Sequence, residues 1–193
     1  MTTVLDLANQ IRIQAHANRL ANRRLHEAMR PLTHEDFHAT RTSFFPSLAQ
    51  TLNHILVVDL YYIGALHRDA GIAATFRNFV PFEDLASLSE RQRQSDERLI
   101  AWCDAADATA LSQLVDMDRG TTVRRDRAAH VLAHLFMHQT HHRGQAHAML
   151  SGTQVAPPQL DDFLMPSDAQ FREADMRALG WQEGRVYGAL ESD

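Results

Sequence analysis

Apolar residues recur at helical spacing over most of the chain. Between Val4 and Met29 they fall at Val4, Leu7, Ile11, Ala15, Leu20 and Leu25 with no internal Pro or Gly. This predicts one long helix ended by Pro31. Thr33 and Asp36 then form a loose capping-box pair for a short turn. A second helix is expected from near Pro46, with Ser43 as candidate cap, to about Asp69. It is apolar nearly all round, from Leu48 and Leu52 to Ile63 and Leu66, the pattern of a helix buried on several sides. Gly71 stops it, and the stretch to Leu88 reads as irregular connection. A third helix, Ser89 to Ala105, has sparse apolar positions and Trp102 as its anchor. The texture changes between Ala110 and Val123, which predicts a short hairpin-like loop near 112–123.

The last long helix runs from about Arg127 to Leu150, where Gly152 and the Pro157-Pro158 pair stop it. Leu160, Phe163 and Leu164 suggest a small C-terminal packing element; the end from Gln182 is polar, with Trp181 and Tyr187 as residues that can dock it. These elements predict an all-α fold: a four-helix bundle with a long crossover and a small C-terminal extension, in one domain over 1–193.

Composition narrows the function classes. A chain of 193 residues, 45% hydrophobic and 22% charged, is an ordinary globular sequence. Its net charge of -5 argues against nucleic acid as a partner, which needs a basic surface. Arg119, Arg124, Arg125 and Arg127 cluster but alternate with Asp118 and Asp126, as on a solvated face. There is no N-terminal signal pattern and no apolar run near the ~20 residues that cross a bilayer. A cytoplasmic protein without a membrane partner is therefore expected. The single Cys103 excludes an internal disulfide and a zinc cluster of several thiolates.

Twelve histidines stand out, five of them between His134 and His147. At about 100° per residue, Val131, Leu135, His138, His142, Gln145 and Met149 share a stripe about 80° wide. Two histidines thus occupy expected inward positions, and their i, i+4 spacing lets two imidazoles reach one ion. Neutral imidazoles in a core are costly unless satisfied, and a cation satisfies both. His134 and His141 lie at the edge of the stripe, and His134–His138 is an alternative i, i+4 pair. The third ligand is expected to be His54, a polar intruder in the apolar second helix. Asp59, the other intruder, lies about 140° around that helix and is assigned a salt bridge elsewhere. His16, His26, His34, His38 and His67 read as surface or loop histidines, and His130 and His147 as solvated or peripheral.

Two phrases carry a likeness: Phe45-Pro46-Ser47-Leu48-Ala49-Gln50-Thr51-Leu52-Asn53-His54-Ile55, and His138-Gln139-Thr140-His141-His142-Arg143-Gly144-Gln145. Together with Asn18-Arg19-Leu20-Ala21-Asn22 and the loop around Gly120, they resemble the DinB family of the DinB/YfiT-like superfamily over roughly Val4 to Leu164. The resemblance implies a four-helix bundle with unusual connections and a triad of His54, His138 and His142 holding one divalent ion per chain. Nickel or zinc is expected first, then iron or manganese. It hints at a homodimer, as does the sparse third helix. Family members are called damage-inducible; nothing in this chain resembles the DNA polymerase that shares the name. Relatives in the superfamily include enzymes that use bacillithiol or mycothiol.

Three neutral imidazoles leave coordination positions open, as in catalytic sites. The expected function is a metal-dependent enzyme on a small-molecule substrate, of thiol S-transferase or hydrolase type, with a low-molecular-weight thiol as one partner. His141 and Gln145 are the catalytic candidates, orienting the incoming group, and Arg143 is placed at the rim. The competing reading is a non-catalytic metal-binding stress protein or small-ligand sensor.

Overall fold

A computed structural model describes residues 6–188. Four long helices dominate: α1 (Leu7–Met29), α3 (Leu48–Leu66), α5 (Leu85–Ala105) and α7 (Ala128–Leu150). Short helices α2 (His34–His38), α4 (Ile72–Arg77) and α6 (Ala108–Ser112) lie in the connections, with a hairpin of β1 (Leu114–Asp118) and β2 (Val123–Arg127). After α7 come α8 (Ala169–Ala178) and α9 (Glu183–Tyr187). Each of α1 and α3 packs against both α5 and α7. Consecutive helices α1 and α3 are therefore diagonal in the bundle, as are α5 and α7, which explains the long connections between them. The fold is the expected all-α bundle. No helix among the described residues is long and apolar enough to cross a membrane.

Boundaries follow the caps more closely than the apolar pattern. Asp6 caps α1 by accepting from the Asn9 amide, and the part of the predicted helix before residue 6 lies outside the described residues. Ser47, not Ser43, caps α3, which ends at Leu66 rather than Asp69. Asp84 caps α5 five residues before Ser89, and part of the expected irregular stretch before it is helix α4. The hairpin also extends past Val123: β2 pairs antiparallel with β1, from Leu114 opposite Arg127 to Asp118 opposite Val123. Val115 and Met117 point inward from β1 while every residue of β2 is exposed. Beyond Val123 this strand is wholly charged, so it has no apolar alternation to read. Gly120, at φ +87°, makes the turn; a Cβ there would come within 2.8 Å of the Arg77 guanidinium.

The apolar core falls into two blocks. One joins Ile11, Ala15, Ile63, Leu99, Val131 and Leu135; the other joins Leu25, Leu52, Leu56, Leu88, Ala146 and Leu150. Each such buried leucine contributes about 1.5–3 kcal/mol. Phe163, Met176 and Val186 of the C-terminal extension cover Ala17, Leu20 and Ala21 on α1, and Trp181 sets its ring edge against His16. The extension thus packs as expected, with Tyr187 under the Arg172 guanidinium; Leu164 stays exposed.

Between the two blocks lies a buried polar layer that the sequence pattern did not reveal. Arg143 donates to Asn18, to Asn22 at 3.0 Å and to Gln139 at 3.1 Å. Asn22 donates to Asp96 at 2.9 Å, and Gln92 donates to Asp96 at 3.0 Å and to Asp59 at 2.7 Å. Gln139 closes the ring by donating to Asp59. Arg143 is therefore a core residue, not a rim residue, and Asp59 is held by two amides instead of a salt bridge. Burial raises the Asp96 carboxyl to about 6. It pushes Asp59 well above the carboxylate range, with help from the Asp96 charge, favouring the neutral acid. Burial also lowers Arg143 to about 10, which leaves it cationic at neutral pH. The same layer explains the sparse apolar pattern of α5, whose core positions include Gln92, Ser95 and Asp96.

His16 and His26, expected at the surface, are buried. Burial lowers His26 to about 3, and the charges of Arg19 and Arg143 add to the shift.

Two outcomes follow for stability. Arg143→Met removes the cation from a buried network and should cost about 3–5 kcal/mol in denaturant unfolding; a change under about 1 kcal/mol would refute the role given to the ring. The second concerns acid. Unfolded, His26 titrates near 6.5 while the folded imidazole stays neutral to about 3, so its contribution is intact above 6.5 and lost as pH falls through that window. From about pH 7 to about pH 5 the native chain should lose about 2 kcal/mol more than His26→Gln; equal losses would show that this histidine does not set the acid sensitivity.

Candidate metal centre

The seam between α3 and α7 brings His54, His138 and His142 together. One ring nitrogen from each lies within 4.8 Å of the other two. The Nε2 atoms of His54 and His138 are 3.0 Å apart. Ring centroids are 4.9 Å apart for His54 and His138, 4.6 Å for His54 and His142, and 4.4 Å for His138 and His142. His54 and His138 are half-buried and His142 is buried.

The direction of these rings follows from the polar layer. The buried face of α7 runs through Leu135, Gln139, His142, Ala146 and Met149. It is rotated by about 60° from the stripe expected from the sequence, because Gln139 and Arg143 are in the core. His138 and Gln145 therefore sit on the flank of α7 rather than in its centre. His138 turns toward His54, and the site lies at the seam between α3 and α7 with two of its rings half-buried.

Burial lowers all three imidazoles. His138 is brought to about 3, with the charges of His142, His54, His134 and His141 as further causes, and His54 to about 4. His142 is lowered by burial and partly restored by its hydrogen bond to Gln145. Neutral rings present lone pairs, which is the form a metal takes. His142 Nδ1 donates to Gln145 Oε1 at 2.8 Å, which fixes Nε2 as its lone-pair nitrogen. Gln145 in turn donates to His141 Nε2 at 3.2 Å. His138 Nδ1 is buried without a hydrogen-bond partner. Three neutral nitrogens at this spacing fit a divalent cation with bonds of about 2.0–2.1 Å after a small closure of the rings.

Residues outside the triad surround it. Phe45 covers one side, its ring centroid 4.2 Å from His54 and 5.5 Å from His142. A residue just before the turn into α3 has no periodicity to mark it, and only its place beside Pro46-Ser47 was available as a signal. Tyr62 packs edge-on to His134 at 5.2 Å. His134 and His141 are exposed and outside the three-nitrogen cluster. His130 is also exposed and pairs with Asp126 at 2.8 Å, while His147 reaches the Pro158 carbonyl at 2.9 Å. A cavity of about 810 Å³ lies elsewhere, against Leu66, Trp102 and Val115.

Diagonal helix connections and a three-imidazole cluster define a helical-bundle protein of the kind that can hold a metal ion through histidine alone. The family model of the DinB family matches residues 11–176, and the chain belongs to that family. No curated protein matches the chain.

Gln145 is a positioning residue for His142. Gln145→Leu should weaken zinc binding about 10–100-fold in a competition assay with a chromophoric chelator, while Gln145→Glu, which keeps an acceptor, should retain most of it. Equal weakening by both variants would remove the role.

Proposed function

We propose that this protein is a metal-dependent enzyme acting on a small molecule, of thiol S-transferase or hydrolase type. The observation that carries the reading is the set of three neutral imidazole nitrogens on α3 and α7, within 4.8 Å of one another and without a thiolate or carboxylate in the set. Structural zinc is usually closed by four protein ligands, often cysteines, whereas three histidines leave a position for a reactant. His54, His138 and His142 would hold the ion. Bound there, a divalent cation supplies Lewis acidity that brings a thiol or a water into its nucleophilic form near neutral pH.

The remaining steps belong to the chain. Gln145 fixes the tautomer of His142 and links it to exposed His141. In this reading His141 exchanges a proton with the reacting group, because its Nε2 accepts from Gln145 and its Nδ1 carries the hydrogen. Phe45 screens one side of the triad from water and offers an aromatic wall to an apolar substrate.

Untagged protein, dialysed at length, should retain about one ion per chain, nickel or zinc, and lose it in His138→Ala. Metal-loaded protein given bacillithiol, mycothiol or glutathione with chlorodinitrobenzene should consume the electrophile. Removal of the metal should abolish the rate, and His141→Ala should lower it about 10²-fold or more, as for loss of a general acid or base. Retention of an ion by His138→Ala through the same prolonged dialysis would overturn the ligand set. A bound ion with no metal-dependent rate on any thiol or on ester substrates would overturn the enzyme reading alone.

A further inference from the structure

A second group of metal-ligating side chains lies outside the triad and shares no residue with it. His34 and His38 stand four residues apart on α2, at its two ends. Their rings are stacked, with centroids 4.3 Å apart and planes 28° from parallel. Glu83, immediately before the Asp84 cap of α5, reaches the same point: one nitrogen of each imidazole and one Glu83 carboxylate oxygen all lie within 4.8 Å of one another. We propose that His34, His38 and Glu83 form a second divalent-cation site, an N2O donor set suited to zinc, nickel or copper(II).

Several observations point the same way. An i, i+4 histidine pair places both imidazoles on one helix face, where one ion can take a nitrogen from each. His38 Nε2 donates to the Glu83 carbonyl at 2.8 Å, so its Nδ1 carries the free lone pair. A histidine ligand held through its other nitrogen by a backbone carbonyl is the usual supporting arrangement around a bound metal. The carboxylate of the same Glu83 comes within 3.8 Å of Nε2 on that ring, and its side chain is 79% exposed. Ligand atoms around a tetrahedral ion sit about 3.3 Å apart, so a small movement of Glu83 and the two rings completes the set.

The scaffold beneath is held firmly. Phe37, between the two histidines, is 2% exposed and packs with Leu25, Met29 and Leu48 in the core. Thr33 caps α2 by accepting from the Asp36 amide at 3.0 Å, and Asp84 caps α5 by accepting from the Ser87 amide at 2.8 Å. The electrostatics favour a cation. Glu35 and Asp36 flank the two histidines and Asp84 follows Glu83, while Glu90 is paired with Arg93. Acidic neighbours of this kind attract a counter-ion. A bound ion would join the α1–α3 connection to the start of α5, closing a loop of 45 residues. It would also fix one end of the segment that leads from α2 to Phe45 beside the triad.

The test is a calorimetric titration of metal-free, untagged, full-length protein with zinc chloride. His138→Ala should still bind one zinc in the micromolar range. In that background His34→Ala should weaken the binding about ten-fold or more and Glu83→Gln by a smaller factor, whereas His130→Ala should leave it unchanged. Circular dichroism of the surface variants should superimpose on the parent. The proposal is overturned if His138→Ala binds zinc no more tightly than His138→Ala with His34→Ala, or if His130→Ala weakens binding equally. The two sites fail separately. Failure of this site leaves native protein with one zinc that His138→Ala removes; failure of the triad leaves one that His34→Ala removes.

Discussion

A closed ring of hydrogen-bonded side chains sets the geometry of this bundle. It runs from Arg143 on α7 to Asn22 on α1, to Asp96 and Gln92 on α5, to Asp59 on α3, and back through Gln139 to Arg143. Every long helix contributes, so none can turn about its axis without breaking a buried polar contact. Leaving one buried polar group unpaired costs about 1–3 kcal/mol, more for a charge. An apolar face tolerates small rotations, because one leucine can replace another against its neighbour. The ring does not. It fixes the azimuth of α7 at Gln139 and Arg143, and His138 and His142 are the residues immediately before them. The aim of both imidazoles toward His54 is therefore a consequence of where the buried charges are satisfied.

This arrangement separates two tasks that compete in a small domain. The apolar blocks above and below the ring supply the burial that holds the helices together. The ring gives them one register and one rotation, at the expense of desolvating Asp59, Asp96 and Arg143. With Asp59 shifted toward its neutral acid, the layer at neutral pH carries one buried anion and one buried cation in its ring, which limits the cost of burial. The triad sits beside this layer, its α7 histidines each one residue before a member of the ring. Pre-organisation of that kind lets imidazoles keep their places when no ligand draws them together.

Much of this was legible in the sequence, and the remainder failed for identifiable reasons. The four long helices could be read from apolar spacing, and the bundle from their number and the lengths of the connections. The stripe holding His138 and His142 was visible in the same periodicity, and His54 stood out against its apolar neighbours. Hydrophobic periodicity assumes that core positions are apolar, however. Gln92, Asp96, Gln139 and Arg143 break that assumption, so the face of α7 was placed about 60° away from its true centre and Arg143 was assigned to the rim. His16 and His26 were misplaced for the same reason. Starts of α3 and α5 were misassigned because several residues near each can cap a helix, and tertiary packing chooses among them. The polar strand β2 carried no alternation. Phe45 touches the triad through a turn whose path depends on contacts distant in sequence, and no local pattern encodes that.

The two histidine clusters begin from the same local motif, an i, i+4 pair on a helix, and differ in what surrounds it. Around His138 and His142 the third donor is another imidazole, the rings are lowered by burial, and no carboxylate belongs to the set. A donor set of three neutral nitrogens leaves the charge of a divalent ion uncompensated, and half-burial reduces the help that water can give. Such a site has its strongest remaining affinity for an anion, and a thiolate combines negative charge with the softness that zinc and nickel favour. At His34 and His38 the third donor is itself an exposed carboxylate, which would partly neutralise the charge of an ion held there. That environment suits holding a cation more than activating a reactant. The chemistry proposed for the triad thus rests on its lack of an acidic ligand as much as on its three histidines.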